Sequence, residues 1–318
     1  MTMNGRNFGK HAAARSLAAA VFAASLGLGV AHAKTVKIEL TAKEVDTPVD
    51  NEGHTKPGWT FDGQIPGPLV RATEGDTIEF TLKNDPNNKN SHSVDFHAAR
   101  TDLLTSFAPI KPGETKSYTF TADNPGIFFY HCGSDPMIQH IAMGMFGAVI
   151  IDPKDPAAMP KADREYVLVQ SEMYDNPQDV KSLMDNKWSH VAFNGIPFKY
   201  DPVHDTNATQ TLEAKPGERV RIYLVNAGVN EVSGFHPIAG IWDKVYPSGN
   251  PKNVLTAMQN YTVAPGDAAT FDIISPVEGA NALVDHSMHR ALSGAIAILM
   301  FSNKADPGMG HGDKILVR

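Results

Sequence analysis

Cysteine is almost absent from this chain of 318 residues, which contains only Cys132. A lone cysteine cannot form an internal disulfide, so no disulfide framework is available even in an oxidising compartment. Its thiol is left for two other uses, which are packing as a small hydrophobic group or binding a metal as a thiolate. The residues around Cys132 indicate whether the thiol packs in a core or binds a metal.

Positive charge is also scarce. The sequence has 28 Lys and Arg against 35 Asp and Glu, which gives a formal net charge of −7. An acidic chain binds nucleic acid poorly, because basic side chains are needed to neutralise the phosphate backbone. The composition therefore predicts no nucleic-acid partner, and it favours solubility and electrostatic steering of a partner.

Apolar stretches long enough to cross a membrane are lacking. Near the N-terminus, three basic residues precede an apolar segment over 17–30, and Ala31-His32-Ala33 follows as an A-x-A cleavage site. This order is typical of a secretory signal peptide, and the segment is too short for a transmembrane helix. We expect residues 1–33 to be a signal peptide cleaved after Ala33, and the exported protein to be periplasmic without a membrane span.

Helical periodicity is rare, and Gln178–Trp188 is the best short helical candidate. Apolar and polar residues instead alternate over Thr77–Leu82, Lys116–Phe120 and Arg219–Leu224, which is typical of half-buried strands. Segments rich in Pro, Gly, Asn and Asp interrupt these runs and predict turns. The sequence after the signal peptide therefore predicts an all-β fold.

An internal repeat divides the chain into two similar halves. Phe61-Asp62-Gly63, followed by Ile65-Pro66, resembles Phe193-Asn194-Gly195-Ile196-Pro197. Two copies of one β-sandwich of roughly 120 residues explain such a repeat. The expected organisation is a first domain at 34–153, a linker at 154–163, a second domain at 164–302 and a C-terminal tail at 303–318.

Cys132 lies in the densest group of potential metal ligands in the sequence. Two histidines, a thiolate and a weakly bound axial methionine are the typical ligands of an electron-transfer copper site. Side chains alternate between the two faces of a strand, so the neighbours His131 and Cys132 should point in opposite directions. The candidate ligands on the face of Cys132 are His92, His140 and Met145.

The opposite face collects a second group of polar residues. His92 and His97 are five residues apart and should oppose each other in an extended segment, whereas Asp95 shares the face of His97. This face therefore gathers His97, His131 and Asp95, and its two histidines are left over for a second metal. Each of these residues alone is more simply explained without a ligand role, but the whole set at these spacings is not. The peptide bond between His131 and Cys132 would join the two sites.

The chain resembles the copper-containing nitrite reductases over nearly all of the sequence that follows the signal peptide. The motifs that carry this resemblance are Ser93-Val94-Asp95-Phe96-His97, Tyr130-His131-Cys132, His140-x₄-Met145-x-Gly147, Phe235-His236-x-Ile238 and Val284-Asp285-His286. The spacing of eight residues from Cys132 to His140 is similar to that of the branch typified by the Neisseria enzyme.

The resemblance implies a homotrimer whose subunits each contain two tandem cupredoxin domains, which are Greek-key β-sandwiches. Type 1 copper would be bound by His92, Cys132, His140 and Met145. Type 2 copper would be bound by His97, His131 and the neighbouring subunit's His286. The catalytic residues beside type 2 copper would be the acid–base pair Asp95 and His236, with Ile238 shaping the nitrite site.

The implied activity is the copper-dependent reduction of nitrite to nitric oxide, the reaction of denitrification. An electron from a cytochrome c or a small cupredoxin would enter at type 1 copper. It would pass through Cys132 and His131 to type 2 copper, where nitrite binds. An all-imidazole site with three protein ligands fits this role, because it leaves a position open for the substrate.

Two features extend beyond these motifs. The segment Ala98–Leu104 is bulkier and more charged than the Gly-rich stretch that family members often have there. His289, three residues after His286, is expected to have no ligand role.

Two other functions remain as alternatives. A two-domain multicopper oxidase needs several His-x-His pairs for its trinuclear cluster, and this sequence contains none. A non-enzymatic copper protein for electron transfer would need only the first ligand set, so the second set favours an enzyme. Copper content distinguishes a carrier, which should hold one copper per chain, from a nitrite reductase, which should hold two.

Overall fold

The computed structural model describes residues 33–311, which form strands joined by turns and a few short helices. In the first half the strands are β1 (Thr35–Pro48), β2 (Thr55–Phe61), β3 (Val70–Thr73), β4 (Thr77–Asn84), β5 (Asp95–Phe96), β6 (Thr115–Thr121), β7 (Gly126–His131) and β8 (Phe146–Asp152). In the second half they are β9 (Arg164–Met173), β10 (His190–Phe193), β11 (Leu212–Ala214), β12 (Val220–Asn226), β13 (Ser233–Ile238), β14 (Trp242–Pro247), β15 (Leu255–Met258), β16 (Tyr261–Val263), β17 (Ala268–Ile273), β18 (Gly279–Asp285) and β19 (Ile296–Phe301). The helices are α1 (Leu103–Ser106), α2 (Met137–Ala142), α3 (Val180–Met184) and α4 (Met288–Ala291), and a 3-10 turn spans Pro156–Ala158. The predicted all-β class is confirmed.

Two predictions concern residues at the chain ends. The predicted signal peptide lies outside the described residues except for Ala33, and so does the end of the predicted tail, 312–318. Within the part of the chain that the structure describes, no helix combines the length and the apolar character needed to span a bilayer.

The two halves repeat one sheet topology. The first half contains sheets of order β2-β1-β4-β6 and β3-β8-β7-β5, and the second half contains the corresponding runs β10-β9-β12-β17 and β11-β19-β18-β13. Matching pairs also agree in direction, since β1–β4 and β9–β12 are parallel whereas β7–β8 and β18–β19 are antiparallel. The second half adds β14 and β15 to one sheet and β16 to the other. The repeat in the sequence is therefore a repeat of the sandwich.

The same tight turn follows β2 and β10. Asp62 and Gly63 have φ values of 58° and 80°, and Asn194 and Gly195 have φ values of 54° and 80°. Two consecutive positive φ values suit glycine, which has no Cβ, and Asn or Asp, which tolerate the left-handed region. The repeated Asx-Gly pairs of the sequence are explained by this turn.

Each sandwich encloses its own hydrophobic core, and a further apolar cluster joins the two halves. Strand β8 is buried on both faces. Val149 and Ile151 pack into the core of the first sandwich, whereas Ala148 and Ile150 belong to the cluster shared with β9 and β12. Burial of both faces explains why β8 is apolar throughout and does not alternate with polar residues.

Successive side chains of β7 also point alternately to the first core and to the shared cluster. This alternation determines the directions in which His131 and Cys132 point. Tyr130 and Cys132 belong to the core of the first sandwich, whereas Ile127 and Phe129 face the second half. His131 lies between Tyr130 and Cys132 and therefore points away from that core.

The strands predicted from alternation are present as β4, β6 and β12, with small differences at their ends. The helix predicted over Gln178–Trp188 is shorter than expected and is limited to α3. Asp179 caps its N-terminus by accepting a hydrogen bond from the N–H of Lys181. Asn186 has a φ of 58°, and a left-handed residue just after the last turn ends a helix.

Candidate metal centres

The first cluster of candidate ligands lies inside the first sandwich, at the end of β7. Cys132 directly follows β7, and His140 lies on α2. His92 lies in a segment that bridges to Ile110 through two backbone hydrogen bonds. His92 and Cys132 are fully buried, and His140 is 2% exposed. Three segments that are distant in sequence thus meet in one buried space.

The donor atoms of this cluster are close enough to share one metal ion. Cys132 Sγ lies 3.2 Å from His140 Nδ1 and 4.0 Å from His92 Nδ1, and the two Nδ1 atoms are 3.3 Å apart. Ligand atoms at about 2.0–2.3 Å from a tetrahedral metal lie roughly 3.3–3.7 Å from one another. Two imidazoles and one thiol at these separations fit a copper ion of the electron-transfer type.

Met145, the fourth predicted ligand of this cluster, is held beside it by the backbone. Its carbonyl accepts a hydrogen bond from the N–H of Cys132 at 3.0 Å, and its N–H donates to the carbonyl of His140 at 3.1 Å. The residue is fully buried. A thioether in this position is available as a weak axial ligand, and its ligand role stays a prediction.

Burial keeps the imidazoles of this cluster neutral. It lowers the pKa of His92, and it lowers the pKa of His140 to about 4 with a further contribution from the nearby His92. Burial also raises the pKa of the Cys132 thiol, although the N–H of Ser93 donates to Sγ at 3.3 Å. Neutral imidazoles bind a metal without losing a proton, whereas the thiol releases its proton when the metal binds.

The second cluster combines His97, His131 and Asp95 on the other face of β7. The two Nε2 atoms of the histidines are 3.2 Å apart, and Asp95 Oδ2 lies 3.9 Å from His131 Nε2. His131 Nδ1 donates to the carbonyl of Cys132 at 2.9 Å, so the lone pair of Nε2 points towards His97. The structure brings together the three residues that strand alternation assigned to this face.

This second cluster is less enclosed than the first. His131 is buried, Asp95 is half-buried and His97 is exposed. The ring of His97 lies against Gly266 of the second half, where a Cβ would come within 3.5 Å of His97 Cε1. Burial lowers the pKa of His131, which keeps this imidazole neutral. The cluster is therefore open to solvent on the side of His97.

The two other predicted site histidines lie together in the second half. His236 is on β13, His286 directly follows β18, and their ring centroids are 5.0 Å apart. His236 Nδ1 donates to the carbonyl of Gln259, which leaves Nε2 as the free nitrogen of the ring. Within residues 33–311 of one chain, His286 joins neither group of metal-ligand atoms.

A buried ion network supports the loop that carries His286. Asp285 accepts hydrogen bonds from Gln170 Nε2 at 2.8 Å and from Arg290 Nε at 2.6 Å. Arg290 Nη1 in turn lies 2.8 Å from Glu172 Oε1. All three charged groups are almost fully buried, and leaving one of them without its partner costs about 3–5 kcal/mol. The network therefore favours one conformation of this loop.

Two further residues lie near these histidines. Ile238 is 40% exposed and shares the face of His236, because the two are separated by two positions on β13. His289 stacks on the ring of Trp188 with a centroid distance of 5.4 Å. It belongs to neither group of metal-ligand atoms in the described part of the chain.

The loop Ala98–Leu104 has a defined local structure. Asp102 caps α1 by accepting a hydrogen bond from the N–H of Leu104 at 3.0 Å. The side chain of Leu104 is 81% exposed. The bulky residues of this loop are therefore turned partly towards the surface.

Sequence reasoning missed two residues that enclose the first cluster. Glu44 Oε1 lies 3.2 Å from His92 Nε2, and the ring of Trp59 lies 4.6 Å from that of His140. Both residues lie on strands that are far from the ligands in the sequence, β1 and β2. No spacing pattern identifies them, because only the packing of the first sandwich brings them to the cluster.

Known proteins resemble the chain along most of its length. The family described as multicopper oxidase matches residues 43–156. A solved structure of the copper nitrite reductase from Nitrosomonas europaea is 69% identical, with a TM-score of 0.89, and the match covers 89% of this chain and 100% of that chain. The copper-containing nitrite reductase of Neisseria gonorrhoeae is 36% identical over 260 residues, which cover 78% of this chain and 64% of that protein. That of Alcaligenes xylosoxydans is 30% identical over 81% of this chain and 84% of that protein.

The extent of these matches distinguishes family membership from a shared fold. The chain spans only 64–65% of the length of the Neisseria relatives, but it covers the whole of the Nitrosomonas chain. The two-domain cupredoxin fold predicted from the sequence is confirmed by this likeness and by the repeated sandwich. The chain belongs to the family of copper-containing nitrite reductases.

Proposed function

We propose that this protein reduces nitrite to nitric oxide and binds two copper ions in each chain. The observation that carries the proposal is the pair of ligand clusters on opposite faces of β7, joined by the peptide bond between His131 and Cys132. An electron carrier needs only the first, fully buried cluster. The second cluster is partly open and presents imidazole nitrogens, as catalytic metal sites do.

The ligands divide between the two clusters. The first copper would be held by His92, Cys132, His140 and Met145, and the second by His97 and His131 together with the neighbouring subunit's His286. When bound, copper would supply one-electron redox chemistry at the first cluster. At the second cluster it would supply a coordination position where nitrite can bind and be reduced. The chain contributes a buried environment around the first cluster and a covalent path from Cys132 to His131.

Nitrite reduction consumes two protons, and two side chains are available to handle them. Asp95 Oδ2 lies 3.9 Å from His131 Nε2, so it is close to any ligand that binds at this nitrogen. His236 keeps its Nδ1 proton in the bond to Gln259 and can hold or release a second proton at Nε2. Asp95 and His236 are assigned as the acid–base pair, and the apolar side chain of Ile238 limits the space for the substrate.

The remaining parts of the proposal concern organisation and location. The domains would extend over 34–153 and 164–302, with a linker at 154–163 and a tail at 303–318. The electron donor would be a cytochrome c or a small cupredoxin. After removal of a signal peptide at 1–33, the protein would act in the periplasm as part of denitrification.

The activity is tested by supplying the purified, copper-loaded protein with ¹⁵N-nitrite and an artificial electron donor without oxygen. We expect ¹⁵N-labelled nitric oxide, detected directly by mass spectrometry, and about two copper ions per chain. The same protein stripped of copper by a chelator is the control and should produce none.

Other results of this experiment would favour another function. A fully loaded protein without nitric oxide formation would contradict the proposed activity. A single copper per chain would favour an electron carrier. Oxygen consumption with an oxidisable phenol would favour a multicopper oxidase, which is the description of the family that matches residues 43–156.

The proposed homotrimer is tested by complementation between two inactive variants. The variants His97→Ala and His286→Ala should each lose the second copper. In a mixed trimer with cyclic symmetry, one of the three interfaces combines an intact His97 with an intact His286 of the next subunit. We therefore expect mixed trimers, isolated through two different affinity tags, to regain about one third of the wild-type activity.

The mixed trimers separate sites shared between subunits from sites within one subunit. If each chain completed its own site, both variants would stay inactive in every mixture. An active monomer in light scattering would also contradict the proposed assembly.

A further inference from the structure

A carboxylate from β1 reaches the first cluster at the outer edge of the His92 ring. Glu44 Oε1 lies 3.2 Å from His92 Nε2, and the Glu44 side chain is 14% exposed. The same oxygen accepts hydrogen bonds from the backbone N–H groups of Lys89 at 3.0 Å and Asn90 at 2.8 Å, and from Asn90 Nδ2 at 3.1 Å. An oxygen that accepts from so many donors belongs to an ionised carboxylate.

This contact determines which nitrogen of His92 faces the metal-ligand cluster. An ionised carboxylate can only accept, so the ring has to donate from Nε2. Nδ1 then carries the lone pair, and this atom is the one that lies 3.3 Å from His140 Nδ1 and 4.0 Å from Cys132 Sγ. Ligand histidines that donate their second N–H to a carboxylate are better oriented and more basic.

We propose that Glu44 is a positioning residue of the first copper site, which holds His92 as an Nδ1 ligand and favours the oxidised metal. The inference rests on the proposed binding of copper by this cluster. A negative charge on the far edge of a ligand ring stabilises Cu(II) more than Cu(I), because the oxidised ion has the larger positive charge. Limited solvent access to Glu44 weakens the screening of this charge.

Two variants of Glu44 separate its charge from its hydrogen bond. Glu44→Gln keeps an oxygen that can accept from His92 Nε2 but removes the charge. Glu44→Ala removes both. The matched control is Glu39→Gln, which removes one charge from the same strand about 16 Å away and from an exposed side chain.

The first measurement is ¹⁵N NMR of the histidines in the copper-free protein. We expect His92 to be protonated on Nε2 in the wild type, in Glu44→Gln and in Glu39→Gln. In Glu44→Ala, which lacks the acceptor of this hydrogen bond, we expect the Nε2 proton to exchange with water faster. Because no metal is needed, the result is independent of the proposed function. A wild-type ring protonated on Nδ1, or an Nε2 proton that exchanges equally slowly in the wild type and in Glu44→Ala, would overturn the positioning role.

The second measurement is the midpoint potential of the coloured copper site by spectroelectrochemistry. We expect Glu44→Gln to lower the preference for Cu(II) over Cu(I) by about tenfold, which raises the potential by about 59 mV. Glu39→Gln should keep the wild-type potential. Equal potentials in Glu44→Gln and the wild type, or the same shift in both Gln variants, would overturn the role of the charge. A wild-type protein that binds no coloured copper would instead refute the proposed function.

Discussion

Replacement of Cys132 by alanine should remove the visible colour of the copper-loaded protein and stop nitrite reduction driven by protein electron donors. Intense colour depends on a thiolate bound to copper, and Cys132 is the only thiol of the chain. The second cluster does not use Sγ, since its donor atoms are Nε2 of His97 and Nε2 of His131. We therefore expect copper content to fall from two ions per chain to one, measured together with the visible spectrum and the turnover.

A neighbouring substitution controls for disturbance of the buried cluster. Ser134 is also buried and follows Cys132 by two residues, but it is not a predicted ligand. Ser134→Ala should keep both copper ions and the colour. If Cys132→Ala kept the colour, the assignment of the thiolate would be wrong.

The second large effect concerns proton delivery at the second cluster. Asp95→Asn preserves the shape of the side chain but removes its charge and its proton chemistry. We expect nitrite turnover to fall by about 10²-fold, which is a typical contribution of one general acid or base. Both copper ions should remain bound, because Asp95 is not assigned as a ligand of either copper ion.

Two further variants test whether this effect belongs to the acid–base pair. His236→Ala should also lower turnover at full copper content, since His236 is not a predicted ligand. Asp46→Asn changes an exposed aspartate of β1 and should leave turnover unchanged. Near-normal turnover in both Asp95→Asn and His236→Ala would reject the acid–base role. Loss of the second copper would show that these residues are ligands or structural supports.

Much of the arrangement around β7 could be predicted from the sequence because it depends on local backbone geometry. Successive side chains of a strand point to opposite faces, so the adjacent pair His131 and Cys132 had to be divided between two clusters. The structure places Cys132 in the core of the first sandwich and brings Asp95 to the face of His131. The metal-binding role of each residue remains a prediction.

The helix after β9 shows where local reasoning was less accurate. The pattern over Gln178–Trp188 predicted a longer helix than α3. A single left-handed residue, Asn186, ends the regular structure, and such a conformation is not encoded by the periodicity of apolar residues.

The sequence by itself determined the fold class, the internal repeat, the identity of the candidate ligands and their division between two faces. The fold class, the repeat and the ligands around β7 follow from composition, from repeated motifs and from the two-residue period of strands. The assignments of His286, His236 and Ile238 follow from the resemblance to copper-containing nitrite reductases. Only the tertiary structure decided which distant residues support the clusters. Glu44 reaches His92 because β1 packs in the first sandwich, and Asp285 is held by Gln170 and Arg290 because β9, β18 and α4 meet in the second. Such contacts depend on the register and packing of whole strands, so local sequence patterns do not predict them.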